Sequence, residues 1–285
     1  MRGYTVSGIF IIDEASSISD DIFDITSPYT NVNKSPKLII STPKFKRGRF
    51  YEEFTNGLNT IFDWALYDTS RYLSEEDKEL ARLKVTKTIF TQDYLGLFAE
   101  LMGSVFGDFS LCVSDDIDED SPIKTMGIDW GTGSGSDYTA ICIMNAKKQV
   151  VCLDFFNDKD STNTINRIAE LYNLYKPENI VVEQNSIGSV YKDLLKKKLN
   201  KTIHSFVTTN DSKNKIINKL QVAFQNKDIQ IPNIPELLNE LTIYEQQLTP
   251  TNKPTFNAIS GGHDDLIIAL ALAYDALTKF KISVM

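Results

Sequence analysis

The sequence indicates an α/β protein with two sheets, and three observations predict this class. Two continuous apolar runs, at 8–12 and 37–40, are typical of parallel strands that are buried on both faces. Three shorter apolar segments follow one another with brief turns, as in an antiparallel meander; they are 125–129, 139–145 and 149–156. Helical and strand patterns then alternate over 162–207, as they do in α/β domains.

The bulk composition is that of an ordinary globular protein. The length of 285 residues suggests about two domains. No apolar run approaches the roughly 20 residues that a membrane-spanning helix needs. Three cysteines, Cys112, Cys142 and Cys152, show no paired spacing, which indicates reduced thiols in a cytoplasmic protein.

Histidine and cysteine are too scarce for a zinc site, because the chain has two histidines and three cysteines. Any bound metal should therefore be a hard cation held by oxygen, such as Mg²⁺ or Mn²⁺. The net charge of −8 argues against a general nucleic-acid coat, since phosphate binding needs lysine and arginine. A local basic strip remains compatible with this charge.

The two apolar runs of the first segment each end in polar residues, with an acidic helical pattern at 19–25 between them. The first run ends in Asp13 and Glu14. Such an end is typical of a Walker B element, in which aspartate holds Mg²⁺ and glutamate orients water against a γ-phosphate. Thr42 follows the second run, where helicase-like motors couple hydrolysis to motion. The phosphate-binding Gly-x-x-x-x-Gly-Lys-Ser/Thr loop is absent, which argues against nucleotide binding by this chain alone.

The middle of the chain has a helical pattern. A capping box begins at Ser74 and predicts a helix to about residue 87. Residues 90–100 are amphipathic and predict another helix. An acidic run and Pro122 then mark a boundary. The predicted parts are a sheet segment at 1–66, a helical linker at 67–122 and a second domain at 123–285.

The second domain shows the element order of the ribonuclease H fold. After the three strands come a helix, a strand, a second helix and another strand. Helices at 213–225 and 235–247 follow, and the last helix runs over 264–278. The last helix is apolar nearly all round, so it should be buried. The predicted fold class is thus a partial P-loop-type ATPase sheet followed by a mixed-sheet domain of the ribonuclease H type.

Acidic side chains lie where elements of the second domain end or begin. Asp129 ends the first strand and Glu183 ends the fourth, while Asp264 and Asp265 open the last helix. In this fold the first and fourth strands are neighbours, so these carboxylates should converge. Closely packed carboxylates repel one another unless cations neutralise them. Two divalent ions about 3.5–4 Å apart would do so, and would clamp the attacking and leaving oxygens of a phosphodiester. The four acids are therefore predicted ligands of catalytic Mg²⁺ or Mn²⁺.

Each of these acids also has an alternative, purely structural role. Asp129 could form a tight turn with the glycine that follows, and Glu183 could pair with a lysine at the strand end. One aspartate of 264–265 should cap the last helix, since aspartate is a favoured N-cap residue. His263 could orient the metal ligands or lie on the surface, and Asp137 is a weaker candidate that fits a turn.

A basic helix face is the candidate for contact with phosphate groups. It consists of Lys192, Lys196, Lys197, Lys198 and Lys201, and a second group consists of Lys44, Lys46, Arg47 and Arg49. The alternative is an ordinary solvated surface. Nothing in the sequence resembles a groove-reading helix, so we expect no sequence preference.

Seven short motifs follow one another across nearly the whole chain. They are Arg2-Gly3, Ile11-Ile12-Asp13-Glu14-Ala15, Ile40-Ser41-Thr42-Pro43, Phe90-Thr91-Gln92-Asp93-Tyr94-Leu95-Gly96, Gly127-Ile128-Asp129-Trp130-Gly131, Val182-Glu183 and His263-Asp264-Asp265-Leu266. In this order they resemble the terminase large subunit of tailed phages. That family has an N-terminal packaging ATPase and a C-terminal RNase H/RuvC-like nuclease that cuts concatemeric genomes with divalent metal.

The resemblance implies a role for each motif. Its metal-binding acids correspond to Asp129, Glu183, Asp264 and Asp265, its Walker B pair to Asp13 and Glu14, and its coupling motif to Thr42. It also implies double-stranded DNA as the substrate, the portal protein and small terminase subunit as partners, and ATP for a full-length form. The family's Walker A and adenine-binding regions would lie upstream of this sequence. We therefore expect a complete nuclease and only the tail of the motor.

Three other functions are compatible with parts of the sequence. The glycine-rich segment 127–135 resembles the first phosphate loop of actin-like sugar kinases, but that fold needs two copies of the core, and only about 160 residues remain. A Holliday-junction resolvase shares the nuclease chemistry but lacks the sheet that ends in Asp13 and Glu14. A remnant without catalysis, which acts only by binding, is the third alternative.

Overall fold

The chain forms two compact units in the computed structural model. The structure describes residues 5–66, 74–100, 104–131, 137–158, 160–184, 188–249, 254–258 and 262–280. One unit comprises Met1–Met102 with Gln246–Thr255, and the other comprises Gly103–Glu245 with Phe256–Met285. Arg2-Gly3 and the glycine-rich residues at 132–135 lie outside the described residues. No helix in the described parts of the chain is long and apolar enough to cross a membrane.

The first unit contains the two predicted parallel strands, β1 (Phe10–Ile12) and β2 (Lys37–Ile39). Ile12 is buried on one face of this pair. On the other face Ile11 and Leu38 are 57% and 44% exposed. The expectation of a sheet covered on both faces is therefore met on one face only within the described residues.

Four helices of the first unit are α1 (Asp20–Thr26), α2 (Gly48–Thr55), α3 (Glu75–Lys84) and α4 (Lys87–Ile89). The capping box predicted at Ser74 is present, with Asp77 as its reciprocal partner. The helix predicted over 90–100 is wrong in its second half. The helical turn observed there continues α4 as one π-helical turn and ends at Tyr94. The helix does not go on because Gly96 has a positive φ of 63° and Ala99 pairs with Phe45.

The second unit is built on a five-stranded mixed sheet with the order β5-β4-β3-β6-β7. Its strands are β3 (Ile123–Asp129), β4 (Thr139–Asn145), β5 (Val150–Phe156), β6 (Asn179–Glu183) and β7 (His204–Phe206). The first three strands are antiparallel, while β6 and β7 run parallel to β3. The predicted meander and the predicted neighbourhood of the first and fourth strands are both confirmed.

Helices cover both faces of this sheet. They are α5 (Ser161–Tyr175), α6 (Gly188–Leu199), α7 (Asn210–Gln225), α8 (Pro235–Ile243) and α9 (Asp265–Phe280). The side chains of α5 and α6 share a core with one face of the sheet, and those of α7, α8 and α9 share a core with the other. Apolar positions of α9 are buried nearly all round, as predicted.

The helix predicted over 235–247 is wrong at its end. It stops at Ile243, and the strands β8 (Tyr244–Leu248) and β9 (Pro254–Ala258) pair with each other. The Tyr244 ring is fully buried and its hydroxyl donates to the carbonyl oxygen of Phe256 at 3.2 Å. Burial of this ring makes the extended backbone at Tyr244 more stable than a further turn of helix would be.

The boundaries of the units differ from the predicted three parts. The segment that begins at residue 104 belongs to the second unit, because Phe106 packs against the rings of Phe224 and Tyr244. Val113 also bridges to Ile231. The helices α3 and α4 belong to the first unit, so no separate linker is seen over 74–100 and 104–122.

Candidate active site

The alternation of side chains along two neighbouring strands places Asp129 and Glu183 on one face of the sheet. Met126 and Ile128 of β3 pack toward α5 and α6. Because successive side chains of a strand point to opposite faces, Asp129 points toward α9. On β6, Val181 packs into the α9 core, and Glu183 has the same parity. Ile128 is paired with Val182, so the two acids end adjacent parallel strands side by side.

A glycine brings the start of α9 down onto these two acids. Gly127 is two residues before Asp129 and faces α9. A Cβ atom at Gly127 would lie 2.5 Å from the backbone nitrogen of Ala273, far inside van der Waals contact. On the same face, the Thr125 hydroxyl donates to the carbonyl oxygen of Ala273 at 2.9 Å. The missing side chain allows α9 to lie directly on β3, and α9 is preceded by Asp264 and begins with Asp265.

Asp129 and Glu183 form a buried carboxyl pair. Their residues are 7% and 8% exposed. Burial, a hydrogen bond with Glu183 and the negative charge of Glu183 all raise the pKa of Asp129 well above its usual range, with smaller contributions from Asp265 and Asp264. The Thr208 hydroxyl donates a hydrogen bond to Glu183 Oε1. Such a pair keeps a proton or attracts a cation.

The two aspartates at the start of α9 are held by different partners. Asp264 Oδ2 accepts a hydrogen bond from Lys213 Nζ at 2.8 Å. Asp265 Oδ2 accepts one from the backbone N–H of Tyr138 at 3.0 Å, and His263 Nδ1 lies 3.9 Å from it. Burial is the main reason that the pKa of Asp265 rises to about 6, and Asp137 and Asp264 raise it further.

The structure thus brings all four predicted ligands into one electrostatic neighbourhood. Within the described ranges, however, no group of three or more histidine, cysteine or acidic side chains is already arranged to hold a metal ion. Two contacts account for this difference. Asp264 is bonded to the Lys213 ammonium, and Asp265 is bonded to the backbone N–H of Tyr138. The donor set fits a hard divalent cation, which would compete with Lys213 and the Tyr138 amide if it bound through Oδ2 of these two side chains.

The structural alternatives for the strand acids receive no support from the described contacts. The Gly131 N–H donates to the Thr139 hydroxyl at 3.1 Å and not to Asp129. Glu183 is bonded to Thr208 and Asp129, both of which belong to the site. His263 lies beside Asp265 and packs edge-on against the Tyr138 ring, which fits an orienting role.

Glu240 is a residue of this region that the sequence did not reveal. It is 4% exposed, and its Oε2 accepts a hydrogen bond from the backbone N–H of Ile267 at 3.1 Å. Glu240 of α8 thus caps the first turn of the last helix, and a cap from an aspartate side chain of 264–265 stays a prediction. The signal was a glutamate on the apolar face of α8, between the buried Leu237 and Leu241.

Replacing Glu240 with glutamine should flatten the pH dependence of stability. Burial raises the pKa of Glu240 from 4.5 to about 8. Folding therefore favours the protonated form, so its stabilising contribution is complete below about pH 4.5 and is lost as the pH rises to about 8. Glu240→Gln keeps the acceptor for Ile267 and removes this loss. Urea unfolding across this pH range measures the effect, with the exposed Glu236→Gln on the same helix as control; parallel curves for Glu240→Gln and wild type would contradict it.

The predicted nucleotide residues follow the two parallel strands of the first unit. Asp13 and Glu14 come directly after β1 and are exposed, and Glu14 has a positive φ of 51°. Thr42 is exposed beyond β2. Because the strands are parallel, these residues lie at the same edge of the pair. Their contact with nucleotide stays a prediction.

The basic residues divide into two groups. On and just after α6, Lys196, Lys197, Lys198 and Lys201 are exposed, whereas Lys192 Nζ donates to Ser205 Oγ at 2.6 Å. In the first unit, most of the second group is engaged by other side chains. Lys44 donates to Ser17, Lys46 pairs with Glu100, and Arg49 pairs with Glu52 and Glu53, while Arg47 is exposed. The face on α6 is therefore the stronger candidate for binding phosphates.

Comparison with known proteins agrees with this geometry. A family model described as the terminase RNaseH-like domain matches residues 126–277, which is more than half of the chain. The chain belongs to the terminase RNaseH-like domain family. The match runs from β3 into α9 and so includes all four acids of the site. The alternative of an actin-like sugar kinase receives no support from these comparisons.

Two relatives match nearly the whole length of the chain. The large terminase subunits of Thermus virus P23-45 and Thermus phage G20c are each 25% identical to it over 96% of its length. The chain spans 62% of the length of these relatives. The fold resembles the large terminase nuclease of phage G20c with bound magnesium (TM-score 0.53, 20% identity, 61% of this chain and 97% of that one). It also resembles the large terminase of another thermophilic bacteriophage in complex with ADP (TM-score 0.66, 15% identity, 95% and 69%). The predicted fold class is confirmed.

Proposed function

We propose that the second unit is a divalent-metal-dependent DNA endonuclease of a terminase large subunit, which cuts concatemeric viral DNA during packaging. The observation that carries this proposal is the buried pair of Asp129 and Glu183 beneath the start of α9, where Asp264 and Asp265 lie. Buried carboxyl groups with no cation repel each other, so a site of this kind has a strong physical reason to bind metal.

Asp129 and Glu183 would hold the metal, joined by Asp264 and Asp265 once these leave Lys213 and the Tyr138 amide. When bound, Mg²⁺ or Mn²⁺ supplies an activated water and neutralises charge on the phosphodiester. Glu240 caps the first turn of α9, next to the two aspartates, and the Thr208 hydroxyl would orient Glu183. Structures of the G20c nuclease with bound magnesium and with bound cobalt support a site for divalent metal.

The substrate is proposed to be double-stranded DNA that leaves the site along α6. This helix begins next to Glu183, since a Cβ at Gly188 would contact the Glu183 carbonyl oxygen. At a rise of 1.5 Å per residue, Lys192 to Lys198 lie roughly 6–15 Å along the helix from its start, and Lys201 follows the end of the helix. Successive backbone phosphates could follow a basic strip of this length.

Plasmid cleavage tests the proposed function. Purified chain is incubated with supercoiled plasmid and Mn²⁺, with Mg²⁺, or with excess chelator. The proposal expects nicked and linear DNA with metal and none with chelator. Intact plasmid under every condition would leave the alternative of a remnant that acts only by binding. Asp129→Ala is included as a control for contaminating nuclease.

Reversing charge on the basic face should weaken DNA binding and its dependence on salt. The double variant Lys196→Glu/Lys197→Glu loses two phosphate contacts, so the slope of log K against log salt should fall by about 2. Fluorescence anisotropy with duplex DNA over a range of salt concentrations measures this slope. A control variant reverses Lys215 and Lys227, which are exposed lysines on and just after α7. Equal slopes for the two double variants would contradict the assignment.

The first unit is proposed to be part of the packaging motor. Asp13 and Glu14 would act as a Walker B pair and Thr42 as the coupling residue, in a protein that also carries a phosphate-binding loop. Similarity to the bacteriophage large terminase in complex with ADP supports this assignment. The portal protein and the small terminase subunit are the proposed partners, in the cytoplasm of the infected cell. Nucleotide binding by this chain, measured by calorimetry with ATP and Mg²⁺, tests whether the present residues are sufficient.

A further inference from the structure

One lysine is bonded directly to a proposed metal ligand. The side chain of Lys213 is 18% exposed, and its ammonium lies 2.8 Å from Asp264 Oδ2 and 3.4 Å from Asn257 Oδ1. It also lies 5.9 Å from the centre of the Tyr244 ring. Its helix α7 begins with a capping box between Thr209 and Ser212, which fixes the first turn. Lys213 is therefore held in place from several sides.

Lys213 is paired with one of several acidic groups of the site. Five carboxyl groups lie in one partly buried region, and they belong to Asp129, Glu183, Asp264, Asp265 and Glu240. A buried ammonium is costly unless it is paired, and the same holds for a buried carboxylate. Without metal, the pair of Lys213 and Asp264 satisfies both groups. A divalent cation that takes Oδ2 of Asp264 as a ligand would compete with Lys213 for the same oxygen.

We propose that Lys213 is the internal counter-cation of the metal site: its ammonium occupies Asp264 in the metal-free protein and must be displaced before Asp264 binds metal. Lys213 is then a positioning residue that sets the free metal concentration at which the site fills. This inference rests on the proposed function, because it needs a metal site. It goes beyond that function by assigning a competitor to the metal.

Removing the competitor should tighten metal binding. Lys213→Met keeps the aliphatic stem and removes the charge, so the metal no longer has to displace a bound cation. We expect the Kd for Mn²⁺ to fall by about tenfold, which corresponds to about 1.4 kcal/mol. The metal-free variant should also melt at a lower temperature than wild type, since Asp264 loses its ion-pair partner, and Mn²⁺ should raise that temperature more than it does in wild type.

The chain offers a matched control on the same two helices. Lys219 of α7 forms an ion pair with Asp275 of α9 at 2.5 Å, and Asp275 keeps Lys279 as a second partner. Lys219→Met therefore removes the same charge and the same kind of contact between helices, farther along α9 from its acidic start. Lys213→Arg is a second control that keeps the charge beside Asp264.

Isothermal titration of Mn²⁺ into the full chain decides between the outcomes. The proposal expects tighter binding for Lys213→Met, and affinities within about threefold of wild type for Lys219→Met and Lys213→Arg. Unchanged or weaker binding by folded Lys213→Met overturns the proposal while leaving the metal site intact. If wild type binds no Mn²⁺, the proposed function fails as well. If Lys213→Met does not fold, Lys213→Gln takes its place, because glutamine can still donate to Asn257 without a charge.

Discussion

Replacing Asp129 with asparagine is expected to abolish metal-dependent DNA cleavage while making the metal-free protein more stable. The loss follows because one carboxylate of the proposed site disappears, and metal stabilisation worth several kcal/mol corresponds to about 10³-fold or more in rate. The gain follows because folding raises the pKa of Asp129, so its side chain must either take up a proton or bury a charge beside Glu183, whereas asparagine does neither and can donate to Glu183. We therefore expect the free energy of unfolding to rise.

Opposite signs for activity and stability make this prediction specific. Replacing a residue that has only a structural role would lower both the activity and the stability of the protein. Plasmid cleavage in Mn²⁺ and urea unfolding in excess chelator measure the two effects on the same preparation. Asp154→Asn serves as a control, since Asp154 lies on the edge strand β5 and pairs with Arg167 of α5. Cleavage at the wild-type rate by Asp129→Asn would contradict the assignment, as would a loss of both stability and activity.

The largest effect on stability is expected for Gly127→Ala. An added Cβ would press on the backbone of α9 at Ala269 and Ala273, and backbone atoms cannot rotate away as a side chain can. Either α9 moves off the sheet or β3 distorts, and overpacking of this kind costs about 3 kcal/mol or more. Because α9 is preceded by Asp264 and begins with Asp265, we also expect cleavage to fall beyond what the unfolded fraction explains.

Trp130 offers a direct probe of this prediction. The chain has two tryptophans, Trp64 in the first unit and Trp130 in the second. In a Trp64→Phe background, the fluorescence of the buried Trp130 reports on the second unit during urea unfolding. Gly8→Ala is the matched control, since a Cβ at Gly8 has nothing within 4 Å. An unchanged unfolding midpoint for Gly127→Ala would show that α9 does not lie on β3 as described.

The strand acids were predictable from the sequence because strand geometry is simple. Side chains alternate with a period of two, and both Asp129 and Glu183 end apolar runs in the element order of a known fold. Their convergence needs only that the two strands are neighbours and parallel, as they are. The acids at the start of the last helix were predictable for a similar reason, since the apolar run of α9 places its beginning at Asp265.

The partners of these acids could not be predicted, because they depend on how helices are oriented in three dimensions. The sequence around Glu240 shows a glutamate on an apolar helix face, but not that α8 points it at the first turn of α9. In the sequence, Lys213 is one of several lysines of a predicted helix. Only the structure shows that α7 places it beside Asp264. The pairing of β8 with β9 was missed because helical spacing continues past Ile243, whereas burial of Tyr244 favours extended backbone there.

Anomalous diffraction from crystals of the chain grown with Mn²⁺ tests the central claim most directly. If the four acids form one metal centre, an anomalous peak should lie within about 2.0–2.6 Å of carboxylate oxygens of both Asp129 and Glu183, with Asp264 or Asp265 completing the site. Lys213 should then have left Asp264. A peak at other side chains, or no peak at a Mn²⁺ concentration that supports cleavage, would contradict the account.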